Sequence, residues 1–158
     1  MFRSTFLTAA ALTLALGTSA SALTAEQKVY KQVETEQADG TVKTSRVVAD
    51  MIVPGEKVIY ALRYLNDTQM PADGIVLTMP IPPVILFTEG SANTPLASIG
   101  YSADNGASFS SREQVMTVGL DGSLRAASAE ELTHVRWSVT NSVAAGATNE
   151  LSFMGTLK

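Results

Sequence analysis

Apolar residues in this chain recur at every second position far more often than at helical spacing. The longest case follows the Pro54-Gly55 turn, where Val58, Tyr60, Leu62 and Tyr64 fall on one face and Asn66-Asp67 ends the run. Alternation of this kind predicts a strand with one face buried. Further short runs follow at residues 75–79, 85–88, 98–103, 108–112, 113–119, 133–140 and 151–157. Within 133–140, Val135, Trp137 and Val139 share one face, and His134, Arg136 and Ser138 the other.

Turn residues punctuate these runs. Asp39-Gly40 between 29–38 and 41–50 predicts a hairpin, because both turn positions favour positive φ. Its first arm carries Lys31, Gln32, Glu34, Glu36 and Gln37. Charge of that density predicts an edge strand, where it discourages stray pairing; a flexible tail is the alternative. Pro71, Asp73 and Gly74 mark a loop, and Pro80, Pro82 and Pro83 end the strand before them. Asp104-Asn105-Gly106 predicts a second hairpin joining 98–103 to 108–112, and Asp121-Gly122 a further turn. Residues 126–132 are the one helical turn expected, with Ser128 as cap and Glu130-Glu131 behind it. Seven to nine short strands with almost no helix define an all-β chain, best read as a β-sandwich.

The first residues stand apart from this pattern. Met1-Phe2-Arg3 carries a positive charge, residues 6–16 are uncharged and rich in Ala and Leu, and Ala20-Ser21-Ala22 offers small residues for cleavage. This is the layout of a secretory signal peptide. A membrane span needs about 20 apolar residues, and this run breaks at Gly17-Thr18-Ser19. The expected organisation is a signal peptide at 1–22, an N-terminal hairpin at 23–50 and a sandwich at 51–158. Cleavage after Ala22 removes Arg3 and takes the net charge from −4 to −5. The remaining charges are scattered, so nucleic acid and anionic membrane surfaces, which demand a basic footprint, are not expected partners. The chain has no cysteine. That excludes a disulfide scaffold and a lipid anchor attached through a cysteine, so no membrane anchor is expected after cleavage.

In order along the chain, several segments resemble the DUF11 family, a conserved repeat domain of bacterial envelope and surface proteins. They are Val53-Pro54-Gly55-Glu56 with the strand through Tyr60 to Asn66, Pro71-Ala72 before Ile75, and Ile81-Pro82. Gly90-Ser91-Ala92, Tyr101-Ser102, Thr133-His134-Val135-Arg136-Trp137, Ala144-Ala145-Gly146-Ala147 and the closing 151–157 run complete the set. Met79 departs from it, standing where the family commonly has Asp. The resemblance implies an immunoglobulin-like sandwich, export, and a structural or adhesive role without catalysis.

Candidate chemistry is sparse. Residues 102–109, Ser-Ala-Asp-Asn-Gly-Ala-Ser-Phe, resemble the Asp-box of sialidase-type propellers. There the Asp accepts main-chain N–H groups across a tight turn and Gly takes positive φ. Here a structural staple is expected, with Tyr101 and Phe109 reaching the same side of the hairpin; a sugar site is the alternative. His134 is the sole histidine. A Ser-His-Asp triad would need it beside a nucleophile, but no nucleophile-elbow sequence is near. One histidine and no cysteine make a poor nitrogen or sulfur metal site. Met51, Met70, Met79, Met116 and Met154 are dispersed, which fits core filling. Asp67 and Asp73, with Asp50, are the one weak calcium option, and no Asp-x-Asp-x-Asp-Gly loop accompanies them. Glu130 and Glu131 are adjacent and do not face each other on a helix. Trp137, Tyr60 and Tyr64 are expected in the core rather than on a ligand platform.

The expectation is therefore a non-catalytic envelope module, periplasmic or at the cell surface, structural or partner-binding. No catalytic residue, cofactor or metal is assigned. The expected partner is an envelope protein, a glycan or a second copy. The alternatives are a glycan-directed hydrolase and a strand-exchange assembly subunit.

Overall fold

In the computed structural model residues 23–158 are described; the expected signal peptide, 1–22, lies outside the described residues. The fold is all-β. Ten strands form antiparallel sheets, and no helix occurs among the described residues. The strands are β1 (Leu23–Glu36), β2 (Val42–Val48), β3 (Lys57–Asn66), β4 (Val76–Pro80) and β5 (Ile85–Phe87). They continue with β6 (Ala97–Ser102), β7 (Met116–Val118), β8 (Leu124–Ala126), β9 (His134–Val139) and β10 (Thr148–Leu157).

The larger sheet has the order β2-β1-β3-β10-β5, the smaller the order β4-β9-β6, and β7 with β8 form a separate two-stranded hairpin. The long alternating strand, β3, sits at the centre of the larger sheet. It pairs with Leu23–Lys31 of β1 on one side and with most of β10 on the other. Val58, Leu62 and Tyr64 of β3 face inward with Leu151 and Phe153 of β10. Tyr60 is half-buried and stacks on Phe153, ring centroids 5.1 Å apart. From the smaller sheet Met79, Tyr101, Val135 and Trp137 supply the other half of the same core. Phe87 of β5 meets Tyr101 of β6 edge-on across the layers, centroids 5.7 Å apart. A sandwich-like arrangement follows because each sheet has one apolar face to bury.

The chain crosses between the sheets at loops, and Asn66 fixes the first of them. Its buried amide donates to the carbonyls of Met70 and Val143, both at 2.8 Å, and accepts from the Thr68 N–H and hydroxyl. Gly155 is packed so closely against β5 that a Cβ there would collide with the Ile85 side chain and the Leu86 carbonyl.

Four local expectations change. The first arm of the N-terminal hairpin is an edge only in part: its polar residues Gln32–Glu36 pair with β2 alone, whereas Leu23–Lys31 are interior. β1 is nine residues deep in the ladder with β3, and β2 ends the sheet. Residues 98–103 do not pair along their length with 108–112: β6 pairs with β9 along one edge, and on the other a single bridge, Tyr101 to Ser110, is all that forms. Residues 126–132 make no helix: Ala126 ends β8 and Ser128 to Glu131 form a single turn. The cap chemistry is nonetheless present, with the Glu131 carboxylate accepting from the Ser128 N–H at 2.9 Å. Finally, Tyr101 and Phe109 lie on opposite faces of β6. Tyr101 points into the core, while Phe109 packs outside on Gly100 under the Arg136 guanidinium.

Candidate functional site

The Asp104 turn is built from three segments. Ser102, the last residue of β6, is buried, and its hydroxyl donates to Asp104 Oδ1 at 2.6 Å while accepting from the Gly106 N–H at 2.9 Å. Asp104 also accepts from the Ser108 N–H at 3.0 Å and the Ser108 hydroxyl at 2.6 Å. The Asn105 N–H donates to Thr133 Oγ1 at the start of β9. Asn105 and Gly106 both take positive φ, 59° and 83°, which the short polar residue and the glycine tolerate. The Ser102 and Ser108 hydroxyls hold the Asp104 carboxyl far below its ordinary pKa.

This wiring decides what the turn can do. A nucleophilic relay needs an imidazole between hydroxyl and carboxylate. Here both serine hydroxyls donate directly to the carboxylate, and the His134 ring, beside Gly106, bonds through Nδ1 to Thr133 at 3.2 Å. Three of the carboxylate's roughly four acceptor positions are taken by the turn. Asp39 and Asp121 repeat the device on a smaller scale, each accepting the N–H and hydroxyl two residues on, from Thr41 and Ser123.

Other flagged residues disperse. Among the described residues no three His, Asp or Glu side chains gather in a metal-holding group, and Asp50, Asp67 and Asp73 stay apart from one another in that sense. Glu131 forms a bidentate pair with Arg125, at 2.6 and 2.7 Å, which draws its pKa down to about 2; Glu130 takes no part. Trp137 is fully buried and donates its indole N–H to the Ala92 carbonyl.

Two surfaces escaped the sequence reading. The first is a cleft of about 290 Å³ on the outer face of the larger sheet, lined by Lys28, Tyr30, Arg46, Arg63 and Glu150 among others. Arg46 crosses it, lying 4.8 Å from the centroid of the Tyr30 ring and pairing with Glu150 at 2.6 Å. These residues come from four strands, so no local spacing announces the cleft. The second is the β7–β8 hairpin. Met116 pairs with Ala126 and Val118 with Leu124, which puts all four on one face. Met116, Val118 and Leu124 are exposed, and Leu120 at the tip is entirely so. The alternation of this segment was legible, but alternation does not say whether the apolar face finds a second layer. A leucine inside a Gly-Leu-Asp-Gly turn was the available signal.

Comparison with family models, with curated proteins and with solved structures finds no match for this chain.

Proposed function

We propose that this chain is an exported, non-catalytic cell-envelope module that binds a partner protein or glycan through the apolar face of the β7–β8 hairpin. The observation that carries the reading is that hairpin: Met116, Val118 and Leu124 exposed on one face, with Leu120 exposed at the tip, all within nine residues on an element only two strands wide. Contiguous exposed apolar surface on a soluble domain marks an interaction site. The leader-like 1–22 segment supports export, and the resemblance to DUF11 supports a structural or adhesive role on an immunoglobulin-like sandwich. The final strand lies beside β3 in the larger sheet, whereas in the constant-type immunoglobulin order the last strand lies in the smaller one, so the immunoglobulin-like part of the reading rests on the resemblance alone.

Two measurements test the proposal. Mass spectrometry of the envelope fraction should find a mature terminus at Leu23; protein retaining Met1 refutes export by cleavage. A photo-crosslinker at Leu120 should yield one discrete envelope adduct, lost in Val118→Asp and Leu124→Asp variants whose melting curves match wild type. An adduct pattern unchanged by these variants refutes the hairpin as the site. Turnover of glycan or ester substrates by the purified chain refutes the non-catalytic reading.

A further inference from the structure

Strand β2 ends the larger sheet, and all seven of its residues are exposed. Its unused hydrogen bonds can be assigned. At one end of the hairpin the Ala49 N–H donates to Val29, and at the other the Gln37 N–H donates to Thr41. Hydrogen-bonded and non-bonded pairs alternate along an antiparallel ladder. Residues 43, 45 and 47 therefore bond to β1, and Val42, Thr44, Arg46 and Val48 turn their N–H and C=O groups outward. Edges are commonly protected by shortness, charge, proline or a bulge, and of these β2 carries only the charges of Lys43 and Arg46. β2 has seven residues, no proline and an unbroken register. Beyond Lys31 the hairpin also loses β3, so Gln32–Glu36 and Val42–Arg46 stand as two strands alone. Two strands are marginal without a third.

We propose that β2 pairs antiparallel with β2 of a second copy, on a two-fold axis through Ser45, joining two five-stranded sheets into one. The sequence of β2 selects both the partner and the register. Centred on Ser45, Val42 faces Val48 of the second copy and Thr44 faces Arg46, so every outward-turned residue meets another and both bonds are exchanged at each of these pairs. Val42 and Val48, 61% and 69% exposed, become covered cross-strand pairs. Lys43 faces Val47, and Ser45 faces Ser45. No like charges stand opposite. Sliding two residues one way sets Arg46 against Arg46; sliding the other way sets Val48 against Gly40 in the turn. Like charges directly opposite destabilise a ladder, so the Ser45-centred register is preferred. The contact is isologous and closes on itself. It goes beyond the partner site proposed for β7–β8 and uses none of its residues.

The test is the oligomeric state of the mature chain by analytical ultracentrifugation across a concentration series, with three variants. Wild type should show a monomer–dimer equilibrium. Val48→Asp should raise the dimer Kd about tenfold or more. Adding Val42→Lys to that variant should restore the dimer, because the proposed register sets the introduced lysine of one copy against the introduced aspartate of the other. Ser45→Cys should form a disulfide dimer under mild oxidation, since a non-bonded antiparallel pair holds its Cα atoms about 4.5 Å apart, within disulfide reach. With no native cysteine, the crosslink reads one site. A monomer at every concentration overturns the proposal. So does a dimer that Val48→Asp leaves intact while Ser45→Cys crosslinks no faster than a control cysteine at exposed Ser142, in the loop between β9 and β10. Val118→Asp should leave the dimer unchanged, which separates failure here from failure of the hairpin site.

Discussion

The indole N–H of Trp137 donates to the Ala92 carbonyl at 3.1 Å, tying the middle of β9 to the loop between β5 and β6. Both residues are buried, the tryptophan completely. Trp137→Ala should cost about 3–5 kcal/mol, the scale of an aromatic cavity. Wild-type tryptophan fluorescence should be blue-shifted and poorly quenched by iodide. Red-shifted, readily quenched emission would return Trp137 to the role of ligand platform.

Tyr64 offers the opposite case. Its hydroxyl is buried close to Asn149, yet it makes no hydrogen bond of good geometry among the described residues, and burial raises its pKa. An unsatisfied buried hydroxyl contributes nothing that a ring C–H would not. Tyr64→Phe should therefore be neutral or stabilising by up to about 1 kcal/mol in a urea melt. A clear loss would mean the hydroxyl has a partner in solution.

Asn66 carries the heaviest single polar load in the core. Asn66→Ala should cost about 2–3 kcal/mol, because the Val143 carbonyl and the 67–70 loop lose their shared partner. Hydrogen exchange in 67–74 should rise in the variant. Unchanged exchange there would show that the loop is held by other contacts.

At Gly155 the constraint is steric. Gly155→Ala should destabilise by about 1–3 kcal/mol or more, the overpacking range, since the added methyl meets Ile85 and the Leu86 carbonyl. The edge strand β5 should exchange faster in the variant. A wild-type melt would show that β5 moves aside at little cost.

Acid stability should follow Asp104 and Glu131. Both carboxyls have folded pKa values below their ordinary range, Asp104 through the Ser102 and Ser108 hydroxyls and Glu131 through Arg125. A lowered folded pKa gives stability that is present above the unfolded value, about 4, and lost as pH falls through the folded one. The melting temperature should thus decline progressively below about pH 4.5, and less steeply in Asp104→Asn. Asp104 is exposed and Glu131 half-exposed in a surface ion pair, so the Glu131 part should shrink with added salt. An Asp104→Asn profile parallel to wild type would show that the turn does not respond to that carboxylate.

Periodicity and turn chemistry were enough to establish an all-β chain, the inward faces of β3 and β9, and the chemistry of the Asp104 turn. Each depends on residues adjacent or nearly so in sequence: alternation picks a face, and an Asx-type acceptor finds its donors within a few positions. Pairing was not legible in the same way. That β6 takes β9, that Leu23–Lys31 of β1 lie inside the larger sheet, and that Tyr101 and Phe109 part to opposite faces are choices among distant segments. Any strand with free backbone groups satisfies any other locally, and the selection is made by which arrangement buries Trp137, Tyr64 and Phe153 together. For the same reason the exposed hairpin at 116–126 and the bare edge of β2 belong to the tertiary structure. Their apolar residues repeat like buried ones, and only the packed fold leaves them without a second layer.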